Sequence, residues 1–290
     1  MTEPHEPTGV SPERTIAFQG RPGAYSHLAC REAFPELVAL PCHSFEDAFG
    51  AVREGAARLA MIPVDNTVAG RVADVHHLLP RGGLHIVGEH FVRVNHHLLG
   101  LPGATIEGLR AVESHVHAVG QCRRFLRRHH LQAVVVADTA GAAQDVAAAG
   151  DPTRAAIASR LAGELYGLVS LAENIEDAEH NTTRFLVLSR TPQDPGETVP
   201  DVMTTITFTV RNRPAALYKA LGGFATCGVN MVKLESYIDG SFTQAQFYAD
   251  VMGHPRHESL RLALEELRFF SHSVEILGVY PAHPFRAEIA

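Results

Sequence analysis

The segment Asn181–Ser189, NTTRFLVLS, sets an amide, two hydroxyls, a guanidinium and a phenyl ring against an apolar run. Thr183 and Arg184 are neighbours, so in an extended segment they point to opposite faces. Arg184 can clamp a carboxylate through two parallel hydrogen bonds. A lone Thr is a poor acid, but Thr183 becomes useful where a leaving group departs as hydroxide in a dry, preorganised site. A capped strand edge with a solvated Arg accounts for the same residues.

Three further polar stretches close apolar ones. In QGRPGAYSH, Gln19–His27, Gly20 and Gly23 allow close approach of the backbone, and a helix starting near Ser26 would offer free N–H groups to an anion. A tight βα turn with a Ser cap is the plainer reading. In PVDNTVAGRV, Pro63–Val72, the Asn66 amide can donate to a carboxylate or hydroxyl; an Asx-turn explains Asp65–Asn66 without a ligand. In ESHVHAVGQC, Glu113–Cys122, Ser114 ends a strand and Gln121 lies about two turns into the next helix; Ser114 is equally well an N-cap. Each stretch is weak alone. In this order, each ending a strand, the four together point to one cleft.

The elements that must position them alternate. TIAFQG, ELVALPC and ARLAMIPV read as strands, with SHLACREAF and SFEDAFGAVREG as helices between them, which gives a parallel sheet covered by helices. HHLLGL, LRAVESH, AVVVAD and RAAIAS continue as strands, with AVGQCRRFLRRH and TAGAAQDVAAAG as helices. Two small α/β lobes with a cleft between them follow. SRTPQDPGETVPD is a linker. Beyond it, MTTITFTV, RPAALYKALGGFATCG, VNMVKLESYI, SFTQAQFYADV, ESLRLALEELRFFS and SVEILGVY give the order β-α-β-β-α-β, a ferredoxin-like domain with a glycine turn at Gly240. An edge strand or face of so small a domain invites a partner copy.

The 290 residues give a prior of about two domains, and 46% hydrophobic with 20% charged residues is an ordinary globular composition. A formal net charge of −7 lowers the prospect of nucleic-acid binding. No apolar run reaches membrane-spanning length, and the polar, Pro-rich start reads as a disordered arm rather than a secretory signal. Four scattered cysteines without a CxxC pair support neither a zinc knuckle nor a disulfide framework, and suggest reduced thiols in the cytoplasm. The His76–His77, His96–His97 and His129–His130 doublets make poor metal pairs, because adjacent side chains diverge.

GRPGAYS, IPVDNTVAGRV, GEH at 88–90, ESHVHAVGQC and IEDAEHNTTRFLVL, in that order, resemble prephenate dehydratases of the monofunctional bacterial type with a C-terminal ACT domain. The resemblance runs from Ile16 to about Phe285. It implies loss of carbon dioxide and water from prephenate to give phenylpyruvate on the way to phenylalanine, with no metal or cofactor. It implies two lobes akin to periplasmic binding proteins, with the site between them. The family's key threonine matches Thr183 and its arginine Arg184, and Asn66, Ser114 and Gln121 match other site residues. Gly23, Ala24, Tyr25, Ser26, Thr67, Gly70, His115 and Phe185 are then expected to line the substrate, the N–H groups around Gly23–Ser26 joining Arg184 on a carboxylate.

The expected domains are an arm at 1–14, a catalytic domain at 15–190 (lobe 1 about 15–92 plus 177–190, lobe 2 about 93–176), a linker at 191–202, an ACT domain at 203–282 and a tail at 283–290. The chain departs from the family at Thr67, where Ser is usual, and at SHVH, where SHPQ is usual. In the ACT domain the usual GAL becomes Ala215, Ala216 and Leu217, and ESRP becomes ESYI beginning at Glu235 and Ser236. These residues would bind an L-phenylalanine effector between paired domains of a homodimer or homotetramer, or only pack an interface. Two other functions fit: arogenate dehydratase, and a non-enzymatic amino-acid sensor. A pure sensor has no need of a donor aimed at a leaving group.

Overall fold

A computed structural model describes residues 11–238 and 245–288. The expected Gly240 turn and most of the expected arm lie outside these residues. The chain divides into two compact units, 11–76 with 90–185, and 77–89 with 186–288. Within the described part of the expected arm, Pro12–Arg14 form one 3₁₀ turn.

The first unit opens with β1 (Thr15–Gln19), α1 (Tyr25–Ala33), β2 (Val38–Cys42), α2 (Phe45–Arg53), β3 (Leu59–Asn66) and the two-residue β4 (Gly70–Arg71). There follow α3 (Ala73–Leu78) and β5 (His85–Arg93), whose residues 77–78 and 85–89 belong to the second unit, then β6 (His97–Gly100), β7 (Ala111–His115), α4 (Val116–Gln121) and α5 (Arg123–Arg128). Then come β8 (Gln132–Val136), α6 (Thr139–Ala149), β9 (Arg154–Ala158), α7 (Arg160–Tyr166), β10 (Val169–Ala172) and β11 (Thr182–Ser189), whose residues 186–189 belong to the second unit. Two sheets form. One runs β11-β3-β1-β2, with β2 and β3 parallel to β1. The other runs β10-β6-β9-β7-β8 and is mixed, because β6 pairs antiparallel with β9 and β10. The two α/β lobes expected from the sequence are thus present.

α7 is a helix beyond those expected, capped by Ser159, which accepts from Ala162 N, and closed by Gly167 in the left-handed region. α4 and α5 stand where one helix was expected over AVGQCRRFLRRH. Cys122, with φ −118° and ψ 22°, breaks them. The cause is tertiary: Asp177 caps α5, its carboxylate accepting from Arg124 N at 3.1 Å, while Asp177 N donates to Gln121 O at 2.6 Å.

The second unit contains β12 (Val202–Val210), α8 (Ala216–Thr226), β13 (Met231–Ile238), β14 (Ala245–Met252), α9 (Glu258–Phe270), β15 (Ser271–Pro281) and α10 (Phe285–Glu288). This is the βαββαβ order, with strands ordered β13-β14-β12-β15. Strand residues pointing to one face, among them Ile206, Phe208, Phe247 and Val251, bury against Phe224, Leu260, Leu264 and Leu267 of the two helices. Gly278 pairs with Ile86, and a Cβ there would fall 2.1 Å from the Ile86 carbonyl oxygen, so only glycine fits. The segment before β12 is tied down, Asp194 lying 3.0 Å from His254 Nε2 and 2.9 Å from Arg256 Nη2. Among the described residues, no helix is long and apolar enough to cross a membrane.

Candidate active site

The end of β3 lies beside the start of β11. Thr67 N donates to Thr182 O at 3.0 Å. The Thr67 hydroxyl donates to His180 O at 2.6 Å and accepts from Thr182 N at 2.9 Å. Thr67 therefore staples the loop preceding β11, and its hydroxyl is consumed in doing so.

This stitching puts Asn66 opposite Thr183 and Asp65 opposite Arg184. On one face, Asn66 Oδ1 accepts from the N–H groups of Val68 at 2.9 Å and Ala69 at 2.7 Å. Its Nδ2 is left to donate to Thr183 Oγ1 at 2.9 Å and to Asn181 Oδ1 at 2.8 Å. Asn181, 1% exposed, passes its own Nδ2 to Gln121 Oε1 at 2.9 Å. Gln121 Oε1 also lies 2.8 Å from His96 Nε2, and His96 Nδ1 lies 2.9 Å from the Tyr25 hydroxyl. Six side chains from five segments thus form a continuous polar chain ending on the half-buried Thr183. Burial pushes the His96 pKa down and that of Tyr25 well up, so the chain is uncharged near neutrality.

Arg184 does not join this face. Its side chain is 7% exposed and its Nη1 is 3.8 Å from Asp65 Oδ2. The guanidinium expected to clamp a substrate carboxylate thus faces a carboxylate of its own chain. The N–H groups expected to cradle an anion are also partly engaged. Gly23 N donates to His27 Nδ1 at 3.0 Å and Ala24 N to Arg21 O at 3.0 Å. Ser26 is buried, and Tyr25 begins α1 behind an Ala24 N-cap that makes no side-chain bond. Ser114 is fully buried and donates to Ile157 O at 2.6 Å, so it locks β7 to β9. The cap of α4 is His115, whose Nδ1 accepts from His117 N at 3.4 Å, and not Ser114. Phe185 is a core residue at 1% exposure, and Gly70 is exposed at φ +83°.

The structure therefore links Asn66, Gln121, Thr183 and Tyr25 in one hydrogen-bonded chain, while Ser114 bonds to Ile157 O, Arg184 faces Asp65 and Phe185 packs in the core. Sequence reasoning missed Asn181 and His96. Asn181 opens the segment NTTRFLVLS, where the neighbouring hydroxyls and guanidinium carry the stronger chemical signal. His96 is half of a histidine doublet, and nothing local marks it.

In the second unit, Ala215, Ala216 and Leu217 line a cavity of 440 Å³ with Arg211, Arg213 and Ile238. Ala215 sits in the left-handed region at φ +59°, which favours glycine. Glu235 lies 3.8 Å from Lys233 Nζ, Ser236 is exposed, and neither residue lines the cavity.

Residues 16–193 match the family model for prephenate dehydratase. A bifunctional N-acyl-homoserine lactone acylase/prephenate dehydratase of Komagataeibacter europaeus is 55% identical over 275 residues, covering 94% of this chain and 98% of its own. A chloroplastic arogenate dehydratase/prephenate dehydratase of Arabidopsis thaliana is 40% identical, covering 92% of this chain and 71% of its own. A prephenate dehydratase of Arthrobacter aurescens, solved in complex with L-Phe, superposes with a TM-score of 0.85 at 29% identity over 92% of this chain and 89% of that one. The chain belongs to the prephenate dehydratase family.

Proposed function

We propose that this protein is a lyase that converts prephenate into phenylpyruvate, carbon dioxide and water, with Thr183 as the donor to the departing 4-hydroxyl. The carrying observation is the 2.9 Å bond from Asn66 Nδ2 to Thr183 Oγ1. Asn66 cannot turn over, because two backbone N–H groups hold its oxygen. Thr183 thus accepts on one side and keeps its own proton for the substrate. As the carboxylate carbon leaves, the bonding pair enters the ring. The C4–O bond breaks with its pair on oxygen, and the hydrogen bond from Thr183 offsets the charge developing there. The proton completes a water molecule, and solvent restores the hydroxyl. Gln121 and Asn181 fix the amide that fixes Thr183.

Thr183→Ala should lower kcat by about a hundredfold or more, on the scale of losing one preorganised donor. The assay is formation of phenylpyruvate from prephenate, run beside arogenate under the same conditions. Faster turnover of arogenate would transfer the assignment to that substrate, which the Arabidopsis relative's name includes. A second activity, amide hydrolysis of N-acyl-homoserine lactones, is favoured by the 55% identity to the Komagataeibacter relative. Release of free homoserine lactone, measured in wild type and Thr183→Ala, tests it separately.

The Ala215–Leu217 cavity is the proposed effector site for L-phenylalanine, supported by the Arthrobacter complex with L-Phe. Titration calorimetry reads it directly, and no heat and no inhibition at millimolar phenylalanine would remove the assignment. β13 is an edge strand whose Val232, Leu234 and Ile238 are exposed, and it is the surface proposed for a second copy.

A further inference from the structure

The polar chain behind Thr183 has a direction, and its direction fixes a proton that no single residue reveals. Val68 and Ala69 N–H groups hold Asn66 Oδ1, so the other atom of that amide must donate. Asn181 therefore accepts on Oδ1 and donates from Nδ2, and Gln121 accepts on Oε1. The remaining neighbour of that oxygen is His96 Nε2 at 2.8 Å. Two acceptors cannot share a hydrogen bond, so His96 Nε2 carries a hydrogen.

On the far side of the ring, Nδ1 lies 2.9 Å from the Tyr25 hydroxyl, which is itself 2.7 Å from Asn95 O. A neutral ring accepts there from Tyr25. A charged ring donates there while Tyr25 turns to Asn95 O. Both forms keep the Nε2 hydrogen. The backbone of His96 is pinned on both sides, its N donating to Glu176 Oε2 at 2.8 Å and its O accepting from Ile175 N at 2.9 Å. At 2% exposure, the ring has no solvent to substitute for these partners.

We propose that His96 is a positioning residue for the dehydration step: its Nε2–H closes a one-way chain of hydrogen bonds that holds the Asn66 amide nitrogen on Thr183 and leaves the Thr183 proton for the leaving hydroxyl. An acceptor at the Nε2 position would favour turning over Gln121, and then Asn181. The conflict would stop at Asn66, which its two backbone donors hold, and would be relieved by moving Asn66 off Thr183. The proposal rests on the reading of Thr183 given above.

The test compares His96→Gln, whose amide N–H reaches the Nε2 position, with His96→Asn, whose amide reaches only the Nδ1 position. His96→Asn should lower kcat by about a hundredfold with KM for prephenate within about twofold, and His96→Gln should recover most of the loss. The double variant with Thr183→Ala should be no slower than Thr183→Ala alone, since both act on one hydroxyl. In wild type, the ¹⁵N resonance of His96 Nε2 should be that of a protonated nitrogen. Equal kcat in the Gln and Asn variants, or an unprotonated Nε2, overturns the role of His96. If Thr183→Ala is slow while His96→Asn turns over normally, only the His96 proposal falls; if Thr183→Ala turns over normally, the reading of Thr183 falls first. Should His96→Asn fail to fold, the wild-type resonance decides.

Discussion

Asn66 and Asp65 are adjacent, chemically similar and committed to opposite tasks. Asn66 needs its nitrogen, because Thr183 must accept from it at 2.9 Å, whereas Asp65 needs its charge, because Arg184 lies 3.8 Å away on the buried side. The isosteric change Asn66→Asp separates shape from polarity. The carboxylate would still accept from Val68 and Ala69, so the loop should hold. It would also accept from Thr183 and turn that proton inward. The expected result is a fall in kcat of about a hundredfold with little change in melting temperature, read by steady-state kinetics and thermal scanning of the same samples. Full activity in Asn66→Asp would mean that hydrogen-bond direction at Thr183 does not matter. Ser114 teaches the converse at the same scale. A hydroxyl in a motif, fully buried and bonded to Ile157 O, holds two strands together.

At the scale of elements, the loop before α1 works as a strut and not as an open cradle. Gly23 has φ +93°, and a Cβ there would sit 2.8 Å from Ala162 Cα at the start of α7. Its carbonyl accepts from Ser159 Oγ at 2.5 Å, and Pro22 O accepts from the Tyr166 hydroxyl at 2.8 Å. The two lobes of the first unit therefore touch through backbone that only glycine allows. Gly23→Ala should cost about 1–3 kcal/mol of strain and shift α1, which carries Tyr25 against His96. Calorimetry should show a lower melting temperature, with kcat reduced alongside it; an unchanged melting temperature would mean the loop yields without cost. The break between α4 and α5 belongs to the same scale, because it lets the last residue of α4 offer both its side chain and its carbonyl to the 175–181 segment.

Across the whole molecule, acidity should act on the fold before it acts on the carboxylates. His27, His96, His97 and His115 all have pKa values lowered from 6.5, chiefly by burial. A depressed folded-state value means that the unfolded chain binds more protons below about 6.5, so stability is present above that pH and is lost as pH falls through the folded values. The melting temperature should decline steadily from about pH 7 to pH 5, and the decline should be shallower in His97→Gln. A flat profile over that range would contradict the burial of neutral rings.

What could be read from the sequence follows one physical division. Local pattern carried the lobes, the βαββαβ domain, the placing of Asn66 beside the third strand and of Thr183 against an apolar run, because period, caps and turns are properties of neighbouring residues. The family was legible for the same reason, its motifs being short and ordered. The sequence by itself determined which side chains stand at the ends of strands. Only the tertiary structure decided which of them meet: that Arg184 turns to Asp65, that Ser114 is spent on Ile157, and that Asn181, Gln121 and His96, at positions far apart in the chain, join behind one threonine. Direction along a hydrogen-bond chain and charge compensation in a buried site depend on partners brought from distant segments, and no local pattern encodes them.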